Sequence, residues 1–241
     1  MRFLLLPLVF CSVVLGALDL EELGIGDVGA ELSVKPEYSR NMGFCYEFAL
    51  IGKAEFKESL LARGGIALGQ TGKEFDLDLF LDAGYRLPLP LSIDLSVHFE
   101  YLYNTIPEYL YQVNSLFPYL SYRNKWIGAD LGSTLRFTTF DSELISFEPI
   151  LSVRLFVNVF NLEQFNLLIG AGNFSTFSLG NLGAYYLFMK SQFNFDERQE
   201  WIYGSPLVSL ISTVNLYQTG SIGLTSTLQS ISWEWGVCFS W

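Results

Sequence analysis

The chain has 241 residues and a formal net charge of −11 at pH 7, with 25 Asp and Glu against 14 Lys and Arg. That balance excludes a nucleic-acid binder, which needs basic residues to meet phosphates. Apolar residues make up 50% and aromatics 16%, but charged residues only 16%, against about 25% in soluble domains.

Met1-Arg2, the apolar run Phe3–Leu15 and then Gly16-Ala17 have the layout of a secretory signal peptide. The expected cut follows Ala17, so residues 1–17 are the leader and 18–241 a single domain. Leu15 is larger than ideal three positions before that cut. Phe10 is too bulky to precede a lipidated Cys11. Beyond the leader no apolar run approaches the ~20 residues of a spanning helix. A hydrophobic chain without such helices leaves barrel strands as the way across a membrane.

Alternation with a period of two runs through the chain. Val28, Ala30, Leu32 and Val34 alternate with Asp27, Gly29, Glu31, Ser33 and Lys35. Phe44, Tyr46, Phe48 and Leu50 lie opposite Cys45, Glu47, Ala49 and Lys53. In 74–87, Phe75, Leu77, Leu79, Leu81, Ala83 and Tyr85 interleave with Asp76, Asp78, Phe80, Asp82, Gly84 and Arg86. Leu91, Ile93, Leu95, Val97, Phe99, Tyr101 and Tyr103 follow, against Asp94, Ser96, His98, Glu100 and Asn104. The same reading recurs over 126–138 and 143–159. It weakens in 165–172, 182–191 and 207–217, where Leu and Tyr fall on both faces.

Twelve strands are expected, over about 27–37, 43–56, 59–69, 74–87, 90–104, 115–123, 126–138, 143–159, 163–173, 178–192, 202–217 and 228–241. Ten is the alternative if two weak segments are not strands. An even count puts both ends in the periplasm. Thr105–Asn114 and Gln218–Thr227 are expected as outer loops. Phe193–Trp201 is too long for a periplasmic turn and is the weak point of the scheme. Tyr85, Trp126 and Trp241 are candidates for one aromatic girdle, and Tyr46, Tyr101 and Tyr103 for the other.

In the final strand Ile231, Trp233, Trp235, Val237, Phe239 and Trp241 alternate with Ser232, Glu234, Gly236, Cys238 and Ser240. Hydrocarbon would cover the apolar row, while the small polar row would face a lumen. The segment Glu234-Trp235-Gly236-Val237-Cys238-Phe239-Ser240-Trp241 resembles the C-terminal signal of bacterial outer-membrane β-barrels. That signal reads polar, any, Gly, any, any, apolar, any, terminal aromatic. Glu234, Gly236, Phe239 and Trp241 match its four defined positions. The resemblance covers eight residues. It implies an all-β, antiparallel up-and-down transmembrane barrel, delivered to the barrel-assembly machinery and closed by this strand.

The inward candidates are mainly acidic: Glu47, Glu55, Asp76, Asp78, Asp82, Asp94, Glu100, Asp130, Glu148 and Glu234. The bases are Lys53, Arg63, Arg136 and Arg154. Water reaching these carboxylates would favour cations, whereas a plug of ion pairs would close the barrel. Ser96, His98 and Glu100 supply the parts of a nucleophilic triad. Their i, i+2, i+4 spacing puts neighbours about 7 Å apart, so catalysis is not expected. Cys45 and Cys238 are assigned to opposite rims, too far apart for a disulfide. Neither has His or Cys neighbours at metal-ligand spacing.

The expected function is a small passive diffusion channel for ions or small solutes, cation-preferring. A non-conducting structural or surface-interaction barrel is the alternative, followed by a lipid-modifying hydrolase. No cofactor or metal is expected. Outer-membrane lipid and the assembly machinery are the expected partners, and a soluble lipocalin-like barrel is the rival fold.

Overall fold

The structure, a computed structural model, describes residues 25–40, 43–56, 59–71, 74–89, 94–162, 164–173, 185–195, 207–219 and 227–240. The leader, Trp241, the turn Phe174-Ser175 and the link Asp196-Glu197-Arg198 lie outside the described residues, as does most of the loop 218–227.

Twelve strands are present: β1 Ile25–Ser39, β2 Gly43–Phe56, β3 Leu60–Thr71, β4 Glu74–Arg86, β5 Asp94–Ile106 and β6 Tyr111–Arg123. They continue with β7 Ile127–Phe140, β8 Glu143–Asn161, β9 Phe165–Gly172, β10 Tyr185–Asn194, β11 Leu207–Thr219 and β12 Thr227–Ser240. Each pairs antiparallel with its sequence neighbours, and β1 pairs with β12 to close the barrel. Closure brings Gly29 opposite Ser240 and Val34 opposite Trp235, so no edge is left unpaired. The alternative count of ten does not hold, because the weakly patterned β9, β10 and β11 all join the sheet.

β6 starts at Tyr111, four residues earlier than its alternation indicates. The expected loop Thr105–Asn114 therefore contracts to a 3-10 turn, Pro107–Tyr109, followed by Leu110. Polar Gln112 and Asn114 can sit on a strand here because they are on the outward face at the rim. There Tyr101 donates a 2.6 Å hydrogen bond to Asn114. The described part of β5 begins at Asp94, and the expected start at 90 lies outside the described residues. Leu87, Pro88 and Leu89 are not strand, and a proline has no N–H to give a ladder.

The alternation sorts the two faces as the pattern requires. Leu81 is 60% exposed, Leu131 55%, Leu151 69% and Trp235 55%. Among the described residues no helix and no second sheet lies over this outward row. No helix of the described residues is long and apolar enough to cross a membrane. Exposed apolar rows of this extent would be an aggregation liability in water, whereas hydrocarbon is their natural neighbour. The inward face carries the buried polar set, including Asp78, Asn104, Ser115, Asp130 and Ser232.

Candidate functional site: the barrel lumen

Strand parity sends one residue in two inward, and pairing register then decides which inward groups meet. Asp82 on β4 lies directly between Arg63 on β3 and Glu100 on β5. The Arg63 guanidinium is 2.8 Å from Asp82 and 4.0 Å from Glu100. Without that cation two carboxylates would face each other across adjacent strands, a destabilising pair. Further round the wall, on β7, Asp130 is fully buried, 2.6 Å from Arg123 and 2.5 Å from Arg154. Arg86 bridges Glu55 at 2.6 Å and Asp94 at 3.1 Å. Lys35 lies 3.2 Å from Glu47.

The expected lumen residues differ in burial, and Lys53, Arg63, Asp94 and Arg154 line a cavity without being fully buried. Glu47, Asp76, Asp78, Asp82, Glu100, Asp130 and Arg136 are buried inside. Glu148 is half-exposed and pairs with Arg136 at 3.3 Å. Lys35, Arg86, Arg123 and Lys190 also serve the lumen, although none is among the expected bases. Lys35 and Arg86 stand on the polar side of clean alternations and were legible there. Arg123 is at the end of its strand, and Lys190 is in a segment of weak pattern.

The inner wall is not uniformly polar. Phe80, Leu102, Phe117 and Tyr119 form a buried cluster, with Ile51 packed against it. Arg63 sits 5.4 Å above the Phe80 ring, and Arg123 4.6 Å above Phe156. Glycines opposite the rings make the room. A Cβ on Gly128 would lie 2.1 Å from Phe156, and one on Gly84 2.5 Å from His98.

Two cavities open on the lumen among the described residues. One, of about 230 Å³, is lined by Lys35, Glu47, Glu100, Lys190 and Glu234 among others. The second, of about 310 Å³, is lined by Lys53, Glu55, Asp94, Ser96, His98 and Arg123 among others. Arg63 and Arg154 line both, so these two side chains stand where the cavities adjoin.

The triad expectation needs correction in two respects. His98 leans along its strand and its Nε2 reaches the Ser96 hydroxyl at 2.9 Å, well inside the 7 Å expected from strand spacing. The carboxylate beyond it is Asp82, 3.1 Å from His98 Nδ1, and not Glu100. With Nδ1 protonated, the ring donates to Asp82 and accepts from Ser96. The ring is also stacked on Tyr119 at 4.8 Å, and Asp82 is shared with Arg63. Ser96 is only 5% exposed and faces the lumen.

Cys45 and Cys238 are not joined in a disulfide, and Cys238 donates to Glu31 at 3.6 Å. Of the assembly-signal positions, Phe239 lies opposite Ala30 and Val208, on the face of Trp233 and Trp235. Glu234 and Gly236 take the other face. At the rims Tyr85 and Trp126 are exposed, as is Tyr46, whose hydroxyl donates to Gln70.

No protein-family model matches the sequence, and no curated protein matches it. Solved structures do. The chain superposes on the NanC porin with a TM-score of 0.58 at 11% identity, covering 86% of this chain and 98% of that one. The KdgM porin in complex with disordered oligogalacturonate gives 0.56 at 9% identity, over 88% and 99%. An outer-membrane channel from Pseudomonas putida F1 gives 0.53 at 9%, over 90% and 96%. The fold is that of bacterial outer-membrane β-barrels. The outward apolar row is therefore the lipid-facing surface of this barrel, and the charged inner wall is its lumen.

Proposed function

We propose that this outer-membrane barrel is a small porin-like channel for the passive diffusion of ions or small solutes. The observation that carries the reading is the pair of charge-lined cavities adjoining at Arg63 and Arg154. A barrel without a conducting role has no need to hold so many charges inside, where each costs desolvation. A cation preference belongs to the same proposal. Around Glu47 the inward carboxylates Glu37, Asp76 and Asp78 are buried with it, and Lys35 is the base beside them. Export by the leader and insertion by the barrel-assembly machinery complete the reading.

Planar-bilayer recording with a KCl gradient tests it. Stepwise currents with a reversal potential of cation sign are expected. Absence of steps would leave the non-conducting barrel, and an anion-sign potential would remove the cation preference. The lipid-hydrolase reading is weaker. Ser96 is buried on the lumen side, with the barrel wall between it and any acyl chain. Its neighbours' backbone N–H groups are committed to the β4–β5–β6 ladders, where they cannot form an oxyanion hole.

A further inference from the structure

We propose that the lumen contains a binding site for one hard divalent cation, formed by Glu47 of β2, Asp76 and Asp78 of β4, and Asn104 of β5. One carboxylate oxygen from each acid lies within 4.8 Å of the others. Oxygens held about 2.3–2.6 Å from a shared calcium ion have separations up to about 5 Å, so the spacing suits that ion.

β3 runs between β2 and β4, and what it contributes is an absence. Gly69 is the β3 residue lying between Glu47 and Asp76 in the ladder. A Cβ on Gly69 would stand 2.3 Å from Asp76 Oδ1. The missing side chain lets the Asp76 carboxylate lie across β3 towards Glu47. Asp78 is in turn opposite Ala67, the next small inward residue on β3.

A second observation marks a ligand rather than a mere acidic cluster. Asp78 is 1% exposed and neither of its carboxylate oxygens has a hydrogen-bond partner among the described residues. Asn104, opposite it across the β4–β5 ladder, is fully buried. Its amide stands beside Asp78, and its oxygen has no hydrogen-bond partner among the described residues. Buried polar atoms of this kind are rare in a settled structure and call for an ion or water. Three carboxylates are an all-oxygen donor set of the kind calcium and magnesium take, with the Asn104 amide beside them. Lys35 answers the charge of Glu47, and a divalent ion would answer that of the buried Asp78. No metal is expected from the sequence, because no thiol or histidine cluster marks the place and Glu47 of β2 meets Asp76 and Asp78 of β4 only through register.

Binding is measured without any current, so its failure leaves the channel reading intact. The full barrel in detergent is titrated with Tb3+, read by aromatic-sensitised luminescence, and the ion is then displaced with Ca2+. Folding is confirmed for every variant by heat-modifiable gel mobility. One saturable, calcium-displaceable site is expected. Asp78→Asn should weaken it about tenfold or more, since ligand charge sets affinity in such sites. Glu148→Gln, in the ion pair with Arg136, should leave it unchanged. Gly69→Ala provides an independent check, because it displaces Asp76 without removing a carboxylate. It too should lose affinity. No saturable binding to the unmodified barrel, or equal affinity in folded Asp78→Asn and Gly69→Ala, would overturn the proposal.

Discussion

Asp130 is fully buried, with Arg123 and Arg154 each within 2.6 Å. Removing it would leave two guanidinium groups facing each other across the inner wall. Breaking a buried ion network by deleting one partner costs about 3 kcal/mol. Asp130→Ala should therefore lower the unfolding free energy by about that amount, read as a shift of the urea midpoint in lipid vesicles. An unchanged midpoint would mean that water, not the arginines, solvates this carboxylate. That Asp130 points inward was legible from sequence alone, since Ala129 and Leu131 on either side are apolar. Its partners were not legible, because parity assigns a face but no neighbour. The His98–Asp82 contact is hidden for the same reason. Nothing in the spacing of 82 and 98 shows that the ring lies over Gly84, opposite His98 in the ladder. The neighbouring inward position on β4 is Asp82.

At the scale of single elements, long clean alternations predicted β2, β4 and β7 to within two residues at each end. β6 was the misread strand. Its inward face carries Val113, Phe117 and Tyr119, which erases the contrast between faces on which the reading depends. Pro118 disturbs it further. The β6–β7 ladder has partners at Leu116↔Leu135 and Tyr119↔Gly132 but none between them, as expected where a residue has no N–H to donate. A two-residue hairpin joins β7 to β8 through Asp141 and Ser142, at φ 48° and 68°. Both central residues of such a turn occupy the left-handed region, which an L side chain enters at a cost and glycine enters freely. Ser142→Gly should raise stability by about 0.5 kcal/mol, after allowing for the extra freedom of glycine in the unfolded chain. A fall in the urea midpoint would show that the serine side chain contributes more than the turn geometry costs.

For the molecule as a whole, closure through β1 and β12 was foreshadowed by a last strand too apolar for water. The interior was less legible. An inventory of inward acids and bases suggested a simple acidic pore. The structure instead divides the wall into an apolar shelf around Phe117, arginine-bridged carboxylates at Arg63 and Arg154, and an acidic pocket beside Lys35. These arise from register, which pairs residues far apart in sequence, and from glycines that make room for rings and carboxylates. The conductance and metal-binding experiments both depend on that interior. They also presuppose that the opposite face meets lipid.

Spin labels placed one at a time along Leu151–Leu155, in a background lacking the native cysteines and reconstituted in bilayers, test that premise most directly. Leu151, Val153 and Leu155 lie on the outward face, and Ser152 and Arg154 on the inward one. Collision with dissolved oxygen, which concentrates in hydrocarbon, should be high at 151, 153 and 155 and low at 152 and 154. A water-soluble nickel reagent should show no access to the outward set. Uniform accessibility along the strand, or nickel access to Leu151 and Leu155, would contradict a lipid-facing barrel.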